Sequence, residues 1–139
     1  MGVVLADSND LIRAGMRSVI SMQTDLPIMS EATNSDELCE QVKSSNASMV
    51  ILDFTSEGFS IDVISKIKNI KSDIRFIAIT PEQNAQILID ALRLGVMSYV
   101  KKDCELSEIV NAVIETSRGN KFFCGQILET IQKAEINVD

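Results

Sequence analysis

The sequence predicts an α/β domain in three α/β/α layers, with a doubly wound, five-stranded parallel sheet. Two observations predict it. Short apolar segments alternate along the chain with stretches whose apolar residues recur at helical period. The chain of 139 residues is long enough for one such domain, and its 45% apolar but 4% aromatic composition indicates a mostly aliphatic core. The apolar segments begin near Val3, Ile28, Met49, Ile74 and Met97.

The polarity of these segments predicts the strand order. Three of them are continuously apolar, which is typical of strands covered on both faces: Val3–Ala6, Met49–Leu52 and Phe76–Ile79. The other two, Ile28–Ala32 and Met97–Lys101, include polar residues and are predicted to be edge strands. Strands one, three and four inside, with two and five outside, give the flavodoxin-like order 2-1-3-4-5.

Capping residues predict where the helices between the strands begin and end. Asn34 and Glu37 stand at capping-box spacing, so the second helix should start near Ser35. Gly95 and Gly119 stand where helix C-caps are expected. Apolar stripes mark the five helices, through Ile12 and Met16, Leu38 and Val42, Ile64 and Ile67, Leu88 and Leu92, and Ile109 and Val113.

The chain divides into a predicted domain over residues 1–120 and a C-terminal extension over residues 121–139. The extension is too short to form a second domain. Its amphipathic segment, with Ile127, Leu128 and Ile131, predicts either the start of a linker or a short sixth helix packed on the domain.

Composition excludes several classes of function. The 13 basic and 20 acidic residues give a net charge of −7, which argues against contact with nucleic acid or anionic membranes. The chain contains no histidine, so it cannot carry a Ser-His-Asp triad, a His-ligated zinc or a phosphohistidine. Cys39, Cys104 and Cys124 form no CxxC pair, and no apolar run approaches membrane-spanning length. We therefore expect a cytoplasmic protein with reduced, structurally ordinary thiols.

Four polar side chains stand directly after predicted strands. Asp7 follows strand one, Asp53 strand three, Thr80 strand four and Lys102 strand five. Because ligands of doubly wound sheets bind beyond the carboxyl ends of the strands, these groups should converge in one crevice. Singly, Asp7 could cap the next helix and Lys102 could be a solvated lysine, but their joint placement indicates a site.

The four residue types fit phosphoryl transfer. A carboxylate can attack phosphorus and hold the group as an acyl phosphate. A divalent cation and a lysine neutralise charge on the phosphoryl oxygens, and Asp7 and Asp53 could supply carboxylate ligands for Mg²⁺. Thr80 could hydrogen-bond a phosphoryl oxygen and so report whether the group is present.

At these residues the sequence resembles the receiver domain of bacterial two-component response regulators. The resemblance covers Val3 to about Arg118 and is strongest to receivers that precede a LuxR-type helix-turn-helix domain. Such a domain is a signalling module rather than an enzyme, with at most self-catalysed phosphoryl transfer and slow autodephosphorylation. The motifs that carry the resemblance are Leu11–Gly15, Ala91–Gly95, Tyr99–Asp103 and Arg118–Phe123.

The resemblance implies a role for each site residue. Asp53 would be the phosphoacceptor and Asp7 the first of two acidic metal ligands, with Mg²⁺ as the cofactor. The backbone carbonyl of Thr55 would also contact the metal. Thr80 would be the switch hydroxyl, Tyr99 the switch aromatic that turns inward on activation, and Lys102 the partner of the phosphoryl group.

The resemblance also implies partners. A sensor histidine kinase would donate the phosphoryl group, and the domain could form a homodimer through helix faces. Transcription would be regulated through a DNA-binding output domain that lies outside this sequence, since nothing in these residues favours contact with nucleic acid or a membrane.

The sequence departs from the family pattern at one important position. The second acid of the metal-binding pair is replaced by Ser8, and a neutral hydroxyl weakens a cation site. Glu57 or Asp10 could supply the missing carboxylate. The loop after Asp53, Ser56–Ile61, also lacks the usual Met-Pro-Gly.

Two alternatives therefore stay open. The chain could be a pseudo-receiver, a phosphorylation-independent binding or dimerisation module, which Ser8 favours. It could also be a flavin-binding protein of the same fold. That alternative is disfavoured by the acidic Asp7–Asp10 segment, by a single tyrosine and no tryptophan, and by the lack of a P-loop or GxGxxG motif.

Overall fold

Alternating strands and helices make up the chain in the computed structural model, which describes residues 2–138, with side chains through residue 134. Met1 and Asp139, the outer ends of the two predicted segments, lie outside the described residues. The strands are β1 (Gly2–Ala6), β2 (Ile28–Ala32), β3 (Ala47–Leu52), β4 (Arg75–Thr80) and β5 (Val96–Lys101). The helices are α1 (Asp10–Gln23), α2 (Ser35–Ser44), α3 (Asp62–Ile70), α4 (Ala85–Leu94), α5 (Leu106–Ser117) and α6 (Gly125–Val138).

The sheet has the order β2-β1-β3-β4-β5 with every described pairing parallel, so the predicted topology is confirmed. Every residue of β1 is buried, and β3 and β4 are buried apart from partly exposed Ser48 and Arg75. Continuous apolar runs therefore lie in the central strands, as expected for strands covered by helices on both faces.

β5 is an edge strand, as predicted, but its polar residues do not face solvent. Ser98 and Lys101 are buried rather than solvated. The hydroxyl of Ser98 lies 2.7 Å from that of Thr116 on α5 and accepts a hydrogen bond from the backbone N–H of Phe122. The polar residues of β5 thus bond to neighbouring segments, because a buried hydroxyl needs a partner.

The C-terminal extension covers the outer edge of β5. The backbone N–H of Tyr99 donates to the Phe122 carbonyl (3.0 Å), and the Cys124 N–H donates to the Tyr99 carbonyl (3.4 Å). The segment after these contacts forms α6, which packs against α4 and β5. Of the two predicted alternatives for this segment, the structure contains the sixth helix.

The predicted capping residues are confirmed for α2 and α4, whereas the C-cap of α5 is Arg118, one residue before the predicted Gly119. Asn34 caps α2 by accepting from the Glu37 N–H, and the Glu37 carboxylate accepts from the backbone and hydroxyl of Thr33. These hydrogen bonds to the charged form lower the pKa of Glu37. Gly95 ends α4 with φ of 115°, a left-handed conformation that favours glycine. Among the described residues, no helix is both long and apolar enough to cross a bilayer.

Candidate functional site

The carboxyl ends of β1, β3 and β5 bring two carboxylates to one ammonium. Nζ of Lys102 lies 2.6 Å from Oδ2 of Asp53 and 2.9 Å from Oδ2 of Asp7. The side chains of Asp53 and Asp7 are 2% and 9% exposed, whereas that of Lys102 is 22% exposed. Adjacent buried carboxylates repel one another, and the lysine ammonium between them offsets that repulsion.

The remaining carboxylate oxygens are held by the backbone that follows each strand. Oδ1 of Asp53 accepts from the N–H (2.9 Å) and the hydroxyl (2.6 Å) of Thr55. Oδ1 of Asp7 accepts from the N–H of Asn9 (2.8 Å). Asn9, and not Asp7, is the N-cap of α1, since its side chain accepts from the Ile12 N–H. The structure therefore removes helix capping as the explanation for Asp7.

The ion pairs shift the titration of Lys102. Its partial burial lowers the pKa of the ammonium, but hydrogen bonds and charge from Asp53 and Asp7 outweigh that effect and raise the pKa above its ordinary value. Lys102 is thus held protonated. Its backbone N–H also donates to the Thr80 carbonyl (2.8 Å), which fixes the start of the loop after β5 against the end of β4.

Thr80 and Tyr99 form a buried hydroxyl pair beside this cluster. The two oxygens are 2.7 Å apart, and the Thr80 hydroxyl donates to the Pro81 carbonyl (2.7 Å), so the Tyr99 hydroxyl is the donor within the pair. Tyr99 is fully buried with its ring edge against Phe54. Burial raises the pKa of Tyr99 to about 12, because it disfavours the charged phenolate. The structure holds Tyr99 in the inward orientation.

Ser8 connects the loops after β1 and β3 without adding a charge. Its backbone N–H donates to the hydroxyl of Ser56 (3.3 Å), which in turn donates to the Asp53 carbonyl (2.9 Å). Neither proposed replacement acid is placed at the cluster. Asp10 is 90% exposed and pairs with Arg13, and Glu57 is exposed in the loop before α3.

Arg13 is a site neighbour that the sequence reasoning did not single out. Its guanidinium donates to the Asp7 carbonyl (2.7 Å) and to Glu31 on β2 (3.0 Å), and it lines a small cavity together with Asp7 and Asp53. Burial opposes its charge, but hydrogen bonds to Asp10 and Glu31 leave its pKa raised. It lies within the Leu11–Gly15 motif, which carried the family resemblance but no information about contact with Asp7.

The side chains at this site fit a magnesium ion, but they carry less negative charge than a site with three acids. The side chains of Asp7 and Asp53 converge on one cation, and Mg²⁺ is commonly bound through one or two carboxylates plus phosphate oxygens and waters. Position 8, next to Asp7, carries a serine with a neutral hydroxyl, and a carboxylate there would add negative charge for a cation. The residues therefore fit Mg²⁺, with a smaller electrostatic attraction than a three-acid site would exert.

The parallel sheet of order 2-1-3-4-5 gathers two carboxylates and a lysine at its carboxyl edge, with the Thr80 hydroxyl beside them, where doubly wound sheets bind ligands. The family model described as "Response regulator receiver domain" matches residues 3–114. The chain belongs to this family.

Several curated response regulators are similar to most of this chain. The nitrate/nitrite response regulator protein NarL of Escherichia coli K12 is 23% identical over 118 residues, covering 84% of this chain and 55% of NarL. The response regulator protein VraR of Staphylococcus aureus Mu3 is 25% identical, covering 91% of this chain and 61% of VraR. The chain therefore spans little more than half the length of these curated relatives.

A solved structure confirms the fold. The LuxR-family two-component response regulator from Aurantimonas sp. SI85-9A1 superposes with a TM-score of 0.90 at 21% identity, and the match covers 97% of both chains.

Proposed function

We propose that this domain is a working receiver in which Asp53 accepts a phosphoryl group from a sensor histidine kinase. The observation that carries the proposal is the position of the Lys102 ammonium between Asp53 and Asp7. A lysine placed there can follow the negative charge as it moves from the carboxylate onto the phosphoryl oxygens.

In the proposed reaction an oxygen of Asp53 attacks the phosphorus of a phosphohistidine on the kinase. The P–O bond forms as the P–N bond breaks, and the donor imidazole leaves. When bound by Asp7, Asp53 and the Thr55 carbonyl, Mg²⁺ supplies positive charge that offsets repulsion between the phosphoryl group and the carboxylates. These 139 residues contain no histidine, so the phosphohistidine must lie outside them.

The Thr80–Tyr99 pair is the proposed switch. To donate to a phosphoryl oxygen on Asp53, the Thr80 hydroxyl must give up its hydrogen bond to the Pro81 carbonyl. Tyr99 can keep donating to Thr80 during that change, which would hold the ring inward. Phosphorylation would then bias a two-state equilibrium through a contact made in only one state.

The proposed output is regulation of transcription in the cytoplasm. NarL and VraR are response regulators that are longer than this chain, and a structurally similar protein, RcsB, has been solved as dimers bound to DNA. With a net charge of −7, these 139 residues are poorly suited to bind DNA themselves. We therefore assign DNA contact to an output domain outside this sequence, and homodimerisation to the receiver.

Intact-mass measurement after incubation with acetyl phosphate and Mg²⁺ tests the proposal. The wild-type chain should gain one phosphoryl group, and Asp53→Asn should gain none. Asp36→Asn is the matched control, because it makes the same chemical change at an exposed position on α2. A wild-type chain that stays unmodified at saturating Mg²⁺ would contradict the proposal.

A pseudo-receiver is the second candidate function, and Ser8 favours it. The cluster contains only two acids, and Lys102 by itself offsets half of their charge. The fold can therefore hold the two carboxylates together without a bound metal. This candidate predicts no phosphorylation of the wild-type chain, and it also predicts that Asp53→Asn leaves partner binding unchanged.

A further inference from the structure

Two cysteines and a glutamate come together at a second location, beside the start of α6. One ligand atom from each of Cys104, Glu108 and Cys124 lies within 4.8 Å of the other two. Cys124 is buried, and Cys104 and Glu108 are partly exposed. This cluster plays no part in the phosphoryl-transfer site described above.

Local structure holds each member of the cluster in place. Cys104 lies in the turn after β5, where its N–H donates to the Lys101 carbonyl (3.1 Å). Glu108 lies in the first turn of α5, with its N–H donating to the Glu105 carbonyl (3.0 Å). Cys124 is joined to β5 through the Tyr99 carbonyl and accepts from the Leu128 N–H in the first turn of α6 (3.0 Å). The three side chains thus converge because three separate elements meet there.

We propose that Cys104, Glu108 and Cys124 form a zinc site that fastens the start of α6 to the connection between β5 and α5. Two sulfurs and a carboxylate oxygen are ligand types that Zn²⁺ accepts, at about 2.3 Å and about 2.0–2.2 Å respectively. Ligand atoms all within 4.8 Å of one another need only small side-chain movements to reach one tetrahedral ion. A water molecule would complete the coordination from the exposed side.

Metal binding accounts for the cluster better than a disulfide does. A disulfide would use the two sulfurs and leave the convergence of Glu108 unexplained. Zinc binding needs no oxidant, since each S–Zn bond forms as a thiol proton is released to solvent.

The zinc site would stabilise the contact between α6 and β5, the strand that carries the proposed switch residue Tyr99. Zinc binding would not require phosphorylation. Lys101, three residues before Cys104, already bonds to Gln126 on α6 (2.5 Å), and the Cys124 N–H bonds to the carbonyl of Tyr99. Zinc would therefore strengthen an existing contact between β5 and α6. A ligand that binds only the folded arrangement stabilises it by mass action.

Zinc and cobalt titrations of the reduced, metal-free chain test the proposal. Competition with a chromogenic chelator should show one tightly bound zinc per chain. Cobalt should give an intense thiolate-to-metal charge-transfer band. Cys104→Ser and Glu108→Gln should each weaken zinc binding by at least the roughly 10–100-fold that is typical of losing an outer-shell partner. Cys39→Ser is the matched control, because Cys39 lies on α2 outside the cluster, and it should bind zinc like the wild type.

Circular dichroism of each variant distinguishes the loss of a zinc ligand from the loss of folding. Cys104 and Glu108 are partly exposed, so their variants should remain folded, and weaker zinc binding by a folded variant supports the site. Zinc binding that is unchanged in both variants would overturn the proposal. So would the lack of any bound zinc, including the case in which intact mass shows that air has instead formed a Cys104–Cys124 disulfide.

Discussion

The Lys102 ammonium lies 2.6 Å from Oδ2 of Asp53, and it reaches Asp7 from the same position. Lys102 lies fifty positions after Leu52, where β3 ends, yet the parallel sheet places both at one edge. This ion pair determines whether two adjacent buried carboxylates can coexist in the fold. It therefore links the stability of the domain to its proposed chemistry.

Removing the lysine charge should destabilise the fold. We expect Lys102→Met to lower the free energy of unfolding by about 2 kcal/mol. That is less than the about 3–5 kcal/mol lost when one partner of a fully buried pair is removed, because Lys102 is partly exposed. Urea unfolding at neutral pH measures the loss. Lys66→Met, at an exposed position on α3, is the control and should have little effect.

The phenol of Tyr99 should titrate far above its ordinary range. Because it is the only tyrosine in the chain, tyrosinate absorbance reports this residue alone. We expect its transition at about pH 12 in the folded protein, against about 10 in urea. A transition near pH 10 in the folded protein would show that the phenol is not buried as described.

The same shift predicts how stability depends on alkaline pH. A folded-state pKa above the unfolded value means that the contribution of Tyr99 is fully present below pH 10 and is lost as pH rises toward about 12. The raised pKa of Lys102 acts in the same direction. The melting temperature of Tyr99→Phe should therefore fall less steeply with rising pH than that of the wild type across this range. Some dependence of the melting temperature on pH should remain because of Lys102.

Restoring the acid at position 8 should strengthen the metal site. We expect Ser8→Asp to raise Mg²⁺ affinity by roughly tenfold or more, because affinity rises with the number of charged ligands. Isothermal calorimetry of both proteins measures the change. Ser72→Asp adds the same charge in the turn between α3 and β4, at the opposite edge of the sheet, and should leave affinity unchanged. Equal affinities for Ser8→Asp and wild type would show that Ser8 does not limit the site.

Two glycine substitutions should change stability in opposite directions. At Gly95 the φ of 115° and a Cβ only 2.9 Å from Cε of Lys68 make alanine unfavourable, so Gly95→Ala should cost about 1–2 kcal/mol. Gly15 lies inside α1 with no atom within 4 Å of an added Cβ, so Gly15→Ala should stabilise by about 0.5–1 kcal/mol. Chemical denaturation of the two variants checks both signs, and a stabilising Gly95→Ala would contradict the described end of α4.

Much of the fold could be predicted from sequence because local patterns carry it. Continuous apolar runs identified the central strands, the Asn34–Glu37 spacing located the start of α2, and Gly95 marked the end of α4. Each of these signals depends on residues close together in the chain. The order of the strands also followed, since polarity separates covered strands from edge strands in a parallel sheet.

Sequence patterns do not identify the distant partner of a buried polar residue. The polar residues Ser98 and Lys101 predicted that β5 is an edge strand, and this is confirmed, but their bonding partners, Thr116 and Gln126, lie on α5 and α6. Arg13 reaches Asp7 for the same reason, through the packing of α1 beside β1. Periodicity says which side of an element is polar, but it does not say what lies opposite.

The sequence by itself determined the alternation of strands and helices, and it placed Asp7, Asp53, Thr80 and Lys102 at strand ends. Only the tertiary structure decided that Lys102 bridges two carboxylates, that Tyr99 donates to Thr80, and that Cys104 and Cys124 meet beside Glu108. The physical reason is that strand and helix patterns arise from neighbouring residues, whereas these contacts depend on atoms that only packing brings within a few ångströms.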